Sequence, residues 1–112
     1  MDSKAILTAA ADLCAAGWCA HTSAVNAAGL PVNPKSPEAV AFCMYGAIER
    51  AAMTTPGGGY GSSYNHLTNC NKAINLAFEN REGAYLFAGQ ANDAYGQDYA
   101  VRLLRFAADT AN

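Results

Sequence analysis

The 112-residue sequence has few charged residues, and those it has are scattered along the chain. Only 14% of the residues are Asp, Glu, Lys or Arg, and the formal net charge is -2. Proteins that bind nucleic acid through its phosphates carry a basic patch, and no such patch is encoded here. We therefore expect no nucleic-acid partner.

The sequence also lacks long hydrophobic runs. It has no stretch of about 18 consecutive apolar residues, and its N-terminus does not place an apolar segment after a basic one. We therefore expect no membrane association and a cytoplasmic location. In that reducing compartment cysteines are rarely paired, so free thiols are expected at Cys14, Cys19, Cys43 and Cys70.

Alanine is abundant among the 52% of residues that are apolar. Alanine forms helices well but buries little area, so helices with a thin, closely packed core are expected. The length fits one domain, residues 1–112. The predicted fold is all-α: a compact single-domain bundle of four main helices and one short helix.

The central element of this bundle is predicted to be a helix over residues 37–53, capped by Ser36. The Ser36 hydroxyl can accept a hydrogen bond from the first turn, and Pro37 has no N–H to leave unpaired. Glu38 complements the positive end of the helix dipole. These residues are typical of a helix start, and we expect the other helices to surround this one.

Both sides of the predicted central helix are apolar. Six residues recur at the spacing of one helical face, namely Val40, Cys43, Met44, Ala47, Ile48 and Ala51. Phe42 and Tyr45 lie on the other side, so both sides should be covered, and a homodimer is left open. Gly46 costs about 1 kcal/mol relative to Ala in mid-helix, which predicts close approach by another backbone.

Periodicity predicts the remaining helices. They cover residues 3–16, residues 63–80, a short segment at 84–88 and residues 98–108. The first should end at Gly17 in a left-handed C-cap.

Several separated motifs resemble one known family. They are Gly17-Trp18-Cys19, residues 29–34 before Ser36, Phe42-Cys43 with Gly46-Ala47, and Asn92-Asp93 followed by Gly96. This order is similar to that of small bacterial and phage proteins known only as a domain of unknown function. The resemblance implies a small helical domain and assigns no activity. By analogy of context, such chains look similar to accessory proteins that bind and inhibit a host machine.

Four residues could form a metal site. His66 and Cys70 are four positions apart on one predicted helix, and Cys19 and His21 form a second pair in a loop. A Cys2His2 set suits zinc. The competing interpretation is buried thiols and surface histidines, because the standard zinc spacings are absent. We expect no metal and no cofactor.

A thiol nucleophile is a second candidate. Cys43 or Cys19 would attack, His21 or His66 would act as base, and Asp93 would orient the base. The apolar surroundings of Cys43 argue against a reactive thiol.

The dipeptide Asn92-Asp93 lies in a predicted turn at residues 91–96. Asn and Asp side chains commonly bond backbone groups in turns, and this is the favoured interpretation. The alternative places Asp93 as an acid or base in a pocket beside Trp18.

Three tyrosines without a clear core position could form a binding surface: Tyr60, Tyr95 and Tyr99. The predicted function is a non-enzymatic accessory module that binds a host or phage protein, such as an inhibitor of a bacterial defence system of the anti-CRISPR type. The alternative is a small zinc-binding or Cys/His-dependent enzyme.

Overall fold

The computed structural model describes residues 3–54, 70, 72–75 and 88–110. These residues are mainly helical and include one small antiparallel sheet. The elements are helix α1 (Ser3–Ala16), strands β1 (Ala24–Val25) and β2 (Ala41–Phe42), and helices α2 (Met44–Thr54), α3 (Ala88–Tyr95) and α4 (Gln97–Thr110). The helical prediction is confirmed, but the all-α prediction is wrong because two strands form.

Helix α1 packs against both α2 and α4, which contact each other much less. Its core face consists of buried Ile6, Leu7, Ala10, Ala11 and Cys14. Because three of these positions are small or short, the neighbouring helices can approach α1 closely. Among the helices of the described ranges, the most connected one is therefore α1, and not the one predicted to be central.

The predicted start of the central helix at Ser36 is wrong. Ser36 Oγ accepts a hydrogen bond from the Glu38 N–H at 3.1 Å, and Ser36 O accepts one from the Ala39 N–H. These two bonds form a β-turn, in which Ser at the first position and Pro at the second are favoured. The helix begins only at Met44, and Val40, predicted to be buried, is 54% exposed.

Phe42 stands at the centre of the small sheet rather than on a helix. Strands β1 and β2 pair antiparallel with Ala24 opposite Phe42, and a parallel bridge joins Phe42 to Trp18. The Phe42 side chain is buried in the core, and Trp18 packs against the same core while partly exposed. The sheet therefore joins the chain after α1 to the start of α2.

Two glycines allow backbones to approach closely. A Cβ on Gly46 would overlap the Ser23 carbonyl, which confirms the predicted approach of another backbone. A Cβ on Gly17 would meet Val40 O and would lie 3.3 Å from Ala41 Cα. Gly17 ends α1 as predicted, but it is not left-handed, because the described glycines with positive φ are Gly29 and Gly96.

The last two helices differ in how well they were predicted. Helix α4 exceeds the predicted 98–108 by one residue at its start and two at its end, and it buries Ala100, Leu103, Leu104 and Ala107 as expected. The turn predicted at 91–96 is wrong for most of its length, because α3 continues to Tyr95. Gly96 alone, with φ of 92°, separates α3 from α4.

Several predictions fall outside the described residues: Tyr60, His66, residues 84–87 and most of the predicted helix 63–80. Within that helix, Cys70 and residues 72–75 are helical, in agreement with the prediction. Cys70 and Ile74 are buried in the core. Among the described residues, no helix has the length and apolar character needed to cross a membrane.

Candidate functional site

Asn92 connects three parts of the chain. Its side-chain Oδ1 accepts hydrogen bonds from Trp18 Nε1 at 2.9 Å and from the Met44 N–H at 3.1 Å. Its Nδ2 donates to Cys19 O at 3.3 Å and to Asp93 Oδ1 at 3.0 Å. Asn92 is 1% exposed, and both of its amide atoms have partners, as a buried amide requires.

Asp93 extends this network to the surface. Its Oδ1 accepts a hydrogen bond from the His21 N–H at 2.9 Å, and its Oδ2 lies 3.5 Å from His21 Nδ1. His21 has a left-handed backbone with φ of 70°, which is uncommon for a residue other than glycine. Its imidazole is 81% exposed. The carboxylate therefore holds the His21 backbone, while the imidazole points to solvent.

The pKa of Asp93 is set by opposing causes. Burial raises this pKa, whereas the hydrogen bonds from the His21 N–H and the Asn92 amide, together with the charge of His21, lower it. The three lowering causes together outweigh burial, so the pKa of Asp93 lies below its ordinary value of 3.8. The folded protein therefore favours the Asp93 carboxylate. Asn92 and Asp93 bond backbone groups, as in the favoured interpretation, although they do so from a helix.

Three free cysteines lie near this network. Burial, followed by the neighbouring Cys43 and Cys19, raises the pKa of Cys14 to about 12. Burial, together with Cys43 and Asp93, raises the pKa of Cys19 to about 11. Burial also raises the pKa of Cys43, although hydrogen bonds from the Gly46 and Tyr45 N–H groups oppose the rise. These directions disfavour a thiolate nucleophile at neutral pH.

Cys43 occupies the N-cap of α2. Its backbone O accepts the first helical hydrogen bond, from the Ala47 N–H at 2.8 Å, and its Sγ accepts one from the Gly46 N–H at 3.4 Å. Sulfur therefore takes the place that an N-cap oxygen takes elsewhere. Sequence reasoning missed this role because it placed Cys43 inside the helix.

The predicted zinc ligands do not assemble among the described residues. Cys19 and His21 lie beside Asp93, whereas Cys70 is buried in the core and His66 lies outside the described part of the chain. No group of three His, Cys, Asp or Glu side chains in the described ranges is placed to hold a metal ion.

Tyr95 and Tyr99 form a pair at the junction of α3 and α4. Their ring centroids are 5.0 Å apart with an interplanar angle of 64°, an edge-to-face arrangement. Tyr95 is 56% exposed, whereas Tyr99 is half-buried and packs against the core. The structure thus brings these two predicted residues together.

An open groove of about 440 Å³ is lined in part by residues that are neighbours of Tyr95 and Tyr99 in sequence. It is lined by Ala15, Gln97, Asp98, Val101 and Arg102. Gln97 Nε2 donates to Cys14 O at 2.8 Å and to Ala15 O at 3.3 Å. Gln97 thereby supplies donors to carbonyls at the C-terminal end of α1, a role without a local sequence signal.

Comparison with protein families gives one result. The model of a family described as Family of unknown function (DUF6197) matches residues 1–110. The chain belongs to this family. No curated protein and no solved structure matches the chain. Membership in DUF6197 confirms the resemblance to a domain of unknown function and leaves the function to be argued from the residues.

Within this DUF6197 chain, sequence reasoning identified Trp18 and Asn92 as motif residues but missed the hydrogen bond between them across 74 positions. It placed Trp18 near this segment only in the alternative interpretation, beside Asp93. The available signal was the dipeptide Asn92-Asp93, which was interpreted as part of a turn.

Proposed function

We propose that the protein is a non-enzymatic protein-binding module whose contact surface is centred on Tyr95 and Tyr99. The observation that carries this proposal is the tyrosine pair, with one ring 56% exposed and the other fixed beneath it. Tyrosine combines a large apolar ring with a polar tip and is enriched in interface centres.

The scaffold holds this pair rigidly from both sides. Asn92, one turn before Tyr95 on α3, makes hydrogen bonds to Trp18 and Met44. Gln97, two residues after Tyr95, is bonded to the end of α1. A surface that is ordered before binding loses less conformational entropy when a partner docks.

The groove lined by sequence neighbours of the tyrosine pair suits a protein partner. Ala15 and Val101 contribute apolar surface, and Asp98 and Arg102 contribute charges of both signs. Protein interfaces commonly combine apolar and polar surface, and the lining of this groove contains both. The raised pKa values of Cys14, Cys19 and Cys43 give less support to the alternative, a Cys/His-dependent enzyme.

Site-specific photo-crosslinking tests the proposal. A photoreactive phenylalanine analogue at Tyr95 should give a discrete adduct with one protein in cells that naturally contain this chain. Excess wild-type protein should compete the adduct away, and excess Tyr95→Ala should not. The matched control carries the analogue at Thr8, an exposed position on α1.

The proposal fails if Tyr95 and Thr8 positions give the same adducts, or if Tyr95→Ala competes as well as wild type. An adduct between two copies of the chain would replace the proposed partner with a homodimer. Light scattering of the purified protein would then show twice the monomer mass.

The narrower proposal is that the partner is a host or phage protein and that binding inhibits a bacterial defence system. It rests on the resemblance to phage accessory proteins. Expression of the chain in a host with an active defence system should raise the plating efficiency of the phage at least tenfold. The Tyr95→Ala variant should abolish this increase. Equal phage plating efficiencies with and without the chain, across several defence systems, would refute this narrower proposal.

A further inference from the structure

The backbone register places Cys19 beside Cys43. The Phe42 N–H donates to Gly17 O at 3.0 Å, and the Cys19 N–H donates to Phe42 O at 3.2 Å. These bonds define a parallel bridge with Trp18 opposite Phe42. The next residues, Cys19 and Cys43, are therefore opposite each other, with side chains on one face.

A parallel register of this kind is compatible with a disulfide. Paired strands lie about 4.8 Å apart, and disulfides join residues whose Cα atoms are about 4.4–6.8 Å apart. Cys19 Sγ lies 3.8 Å from Ala41 O, so this side chain reaches the strand that leads to Cys43. Both thiols are free in the structure.

Access separates this pair from the other two cysteines. Cys19 and Cys43 are partly exposed, whereas Cys14 and Cys70 have no exposed surface. A small oxidant can therefore reach Cys19 and Cys43. Cys43 is also at a helix N-terminus, where the Gly46 N–H stabilises a negative sulfur.

We propose that Cys19 and Cys43 form a redox-active dithiol that hydrogen peroxide oxidises to an intramolecular disulfide. The Cys43 thiolate attacks one peroxide oxygen, the O–O bond breaks, and the departing hydroxide takes a proton to give water. The resulting sulfenic acid is attacked by the Cys19 thiolate, the S–S bond forms, and the second oxygen leaves as water. The dithiol loses two electrons and two protons, and the peroxide is reduced to two waters.

The high thiol pKa values slow this reaction without preventing it. A stoichiometric oxidation needs only a small thiolate fraction, and a thiolate of higher pKa is a stronger nucleophile. An external dithiol reductant restores the reduced pair by thiol–disulfide exchange.

Peptide mapping by mass spectrometry tests the inference on the full-length protein. After peroxide treatment, alkylation under denaturing conditions and digestion, the peptides containing Cys19 and Cys43 should be joined and lighter by two hydrogens. Cys14 and Cys70 should be alkylated as in untreated protein. Treatment with dithiothreitol should release the joined peptides.

Variants identify the order of events. In Cys19→Ser, peroxide should leave a sulfenic acid on Cys43 that dimedone traps, with disulfide formation reduced at least tenfold. Cys14→Ala is the matched control and should form the Cys19–Cys43 disulfide as wild type does. Should either variant not fold, the wild-type peptide map alone still decides.

A disulfide between any other two cysteines would overturn the inference. So would complete alkylation of Cys19 and Cys43 after peroxide treatment that oxidises free cysteine in the same solution.

Discussion

Trp18 donates a hydrogen bond of 2.9 Å from its indole N–H to Oδ1 of Asn92, although 74 positions separate the two residues. The same oxygen accepts the Met44 N–H at the start of α2. One buried amide therefore ties the chain after α1 to the beginning of α2 and to α3. This bond positions both the tyrosine pair and the two partly exposed cysteines.

Replacing Asn92 by Ala should destabilise the fold strongly. The substitution leaves the Trp18 and Met44 donors without their acceptor, and a stranded buried group costs about 1–3 kcal/mol. Urea denaturation followed by far-UV circular dichroism should show the loss in every variant, including one that lacks the chain's single tryptophan. Trp18→Phe removes one donor and keeps the Asn92–Met44 bond, so it should cost less than Asn92→Ala. An equal or larger loss in Trp18→Phe would contradict this account.

Gly46→Ala should destabilise the protein even though alanine is the better helix former. The helix preference of alanine is worth about 1 kcal/mol here. The new methyl group would overlap the Ser23 carbonyl, and overpacking of this kind costs about 1–3 kcal/mol. Thermal unfolding measures the balance.

Gly96→Ala is the comparison for Gly46→Ala. Among the described residues, and apart from its chain neighbours, no atom lies within 4 Å of a Cβ at Gly96, but its φ is 92°. Alanine there should lower stability through backbone strain alone, without shifting strand β1. By contrast, a higher unfolding temperature for Gly46→Ala than for wild type would contradict the close approach of the Ser23 carbonyl to α2.

Asp93 should make stability depend on pH in the acid range. Its pKa in the folded protein is lower than its ordinary value of 3.8, so the folded state favours the carboxylate. Its contribution is therefore full above the unfolded pKa and disappears as pH falls through the folded pKa. Asp93→Asn should remove this part of the pH dependence while keeping an acceptor for the His21 N–H.

Unfolding free energy measured from pH 6 down to pH 3 checks the Asp93 prediction. The difference between wild type and Asp93→Asn should shrink as the solution becomes more acidic. Asp12→Asn is the control, because Asp12 is 68% exposed and forms a surface ion pair with Arg105. A difference that grows toward low pH would contradict the sign of the shift.

The two tyrosines should respond differently to truncation. Tyr95→Ala should change the free energy of unfolding by no more than about 0.5 kcal/mol, because its ring is mostly exposed. Tyr99→Ala should cost more, since that ring packs against the core. Denaturation of both variants measures this, and a larger loss for Tyr95→Ala would assign that ring a structural role.

The helices α1 and α4 were predictable because each contains its own signal. Both repeat apolar residues at the helical period, and in α4 the residues expected to face inward are buried. Gly46 was also informative, since a glycine inside an apolar helix implies a close neighbour. Which backbone approaches it, that of Ser23, depends on the sheet and was not predictable.

Residues 37–43 were mispredicted because their local signals fit two structures. Ser followed by Pro and Glu suits the start of a helix and also a β-turn. Hydrogen bonds from Phe42 to Gly17, from Val40 to Val25 and from Cys43 to Ser23 favour the extended form. All three partners lie far from residues 37–43 in the sequence.

For the proposed sites, the sequence identified the candidate residues, and the structure identified which residues lie next to them. Tyr95 and Tyr99 are four positions apart but lie on different helices, and they meet where α3 and α4 join at Gly96. Cys19 and Cys43 meet through a parallel backbone pairing that no local pattern announces. His21, Asp93 and Asn92 come together in the same way, through contacts between distant segments.

The amino-acid sequence alone determined the mainly helical character, the positions of α1 and α4, and the family to which the chain belongs. These properties follow from short-range periodicity and from motifs read in order along the chain. Only the tertiary structure decided that α1 is the most connected of the described helices, that residues 41–42 form a strand, and that Cys43 caps α2. Those outcomes depend on hydrogen bonds and burial between segments far apart in sequence, whose free energy outweighs the local preference of residues 37–43 for a helix.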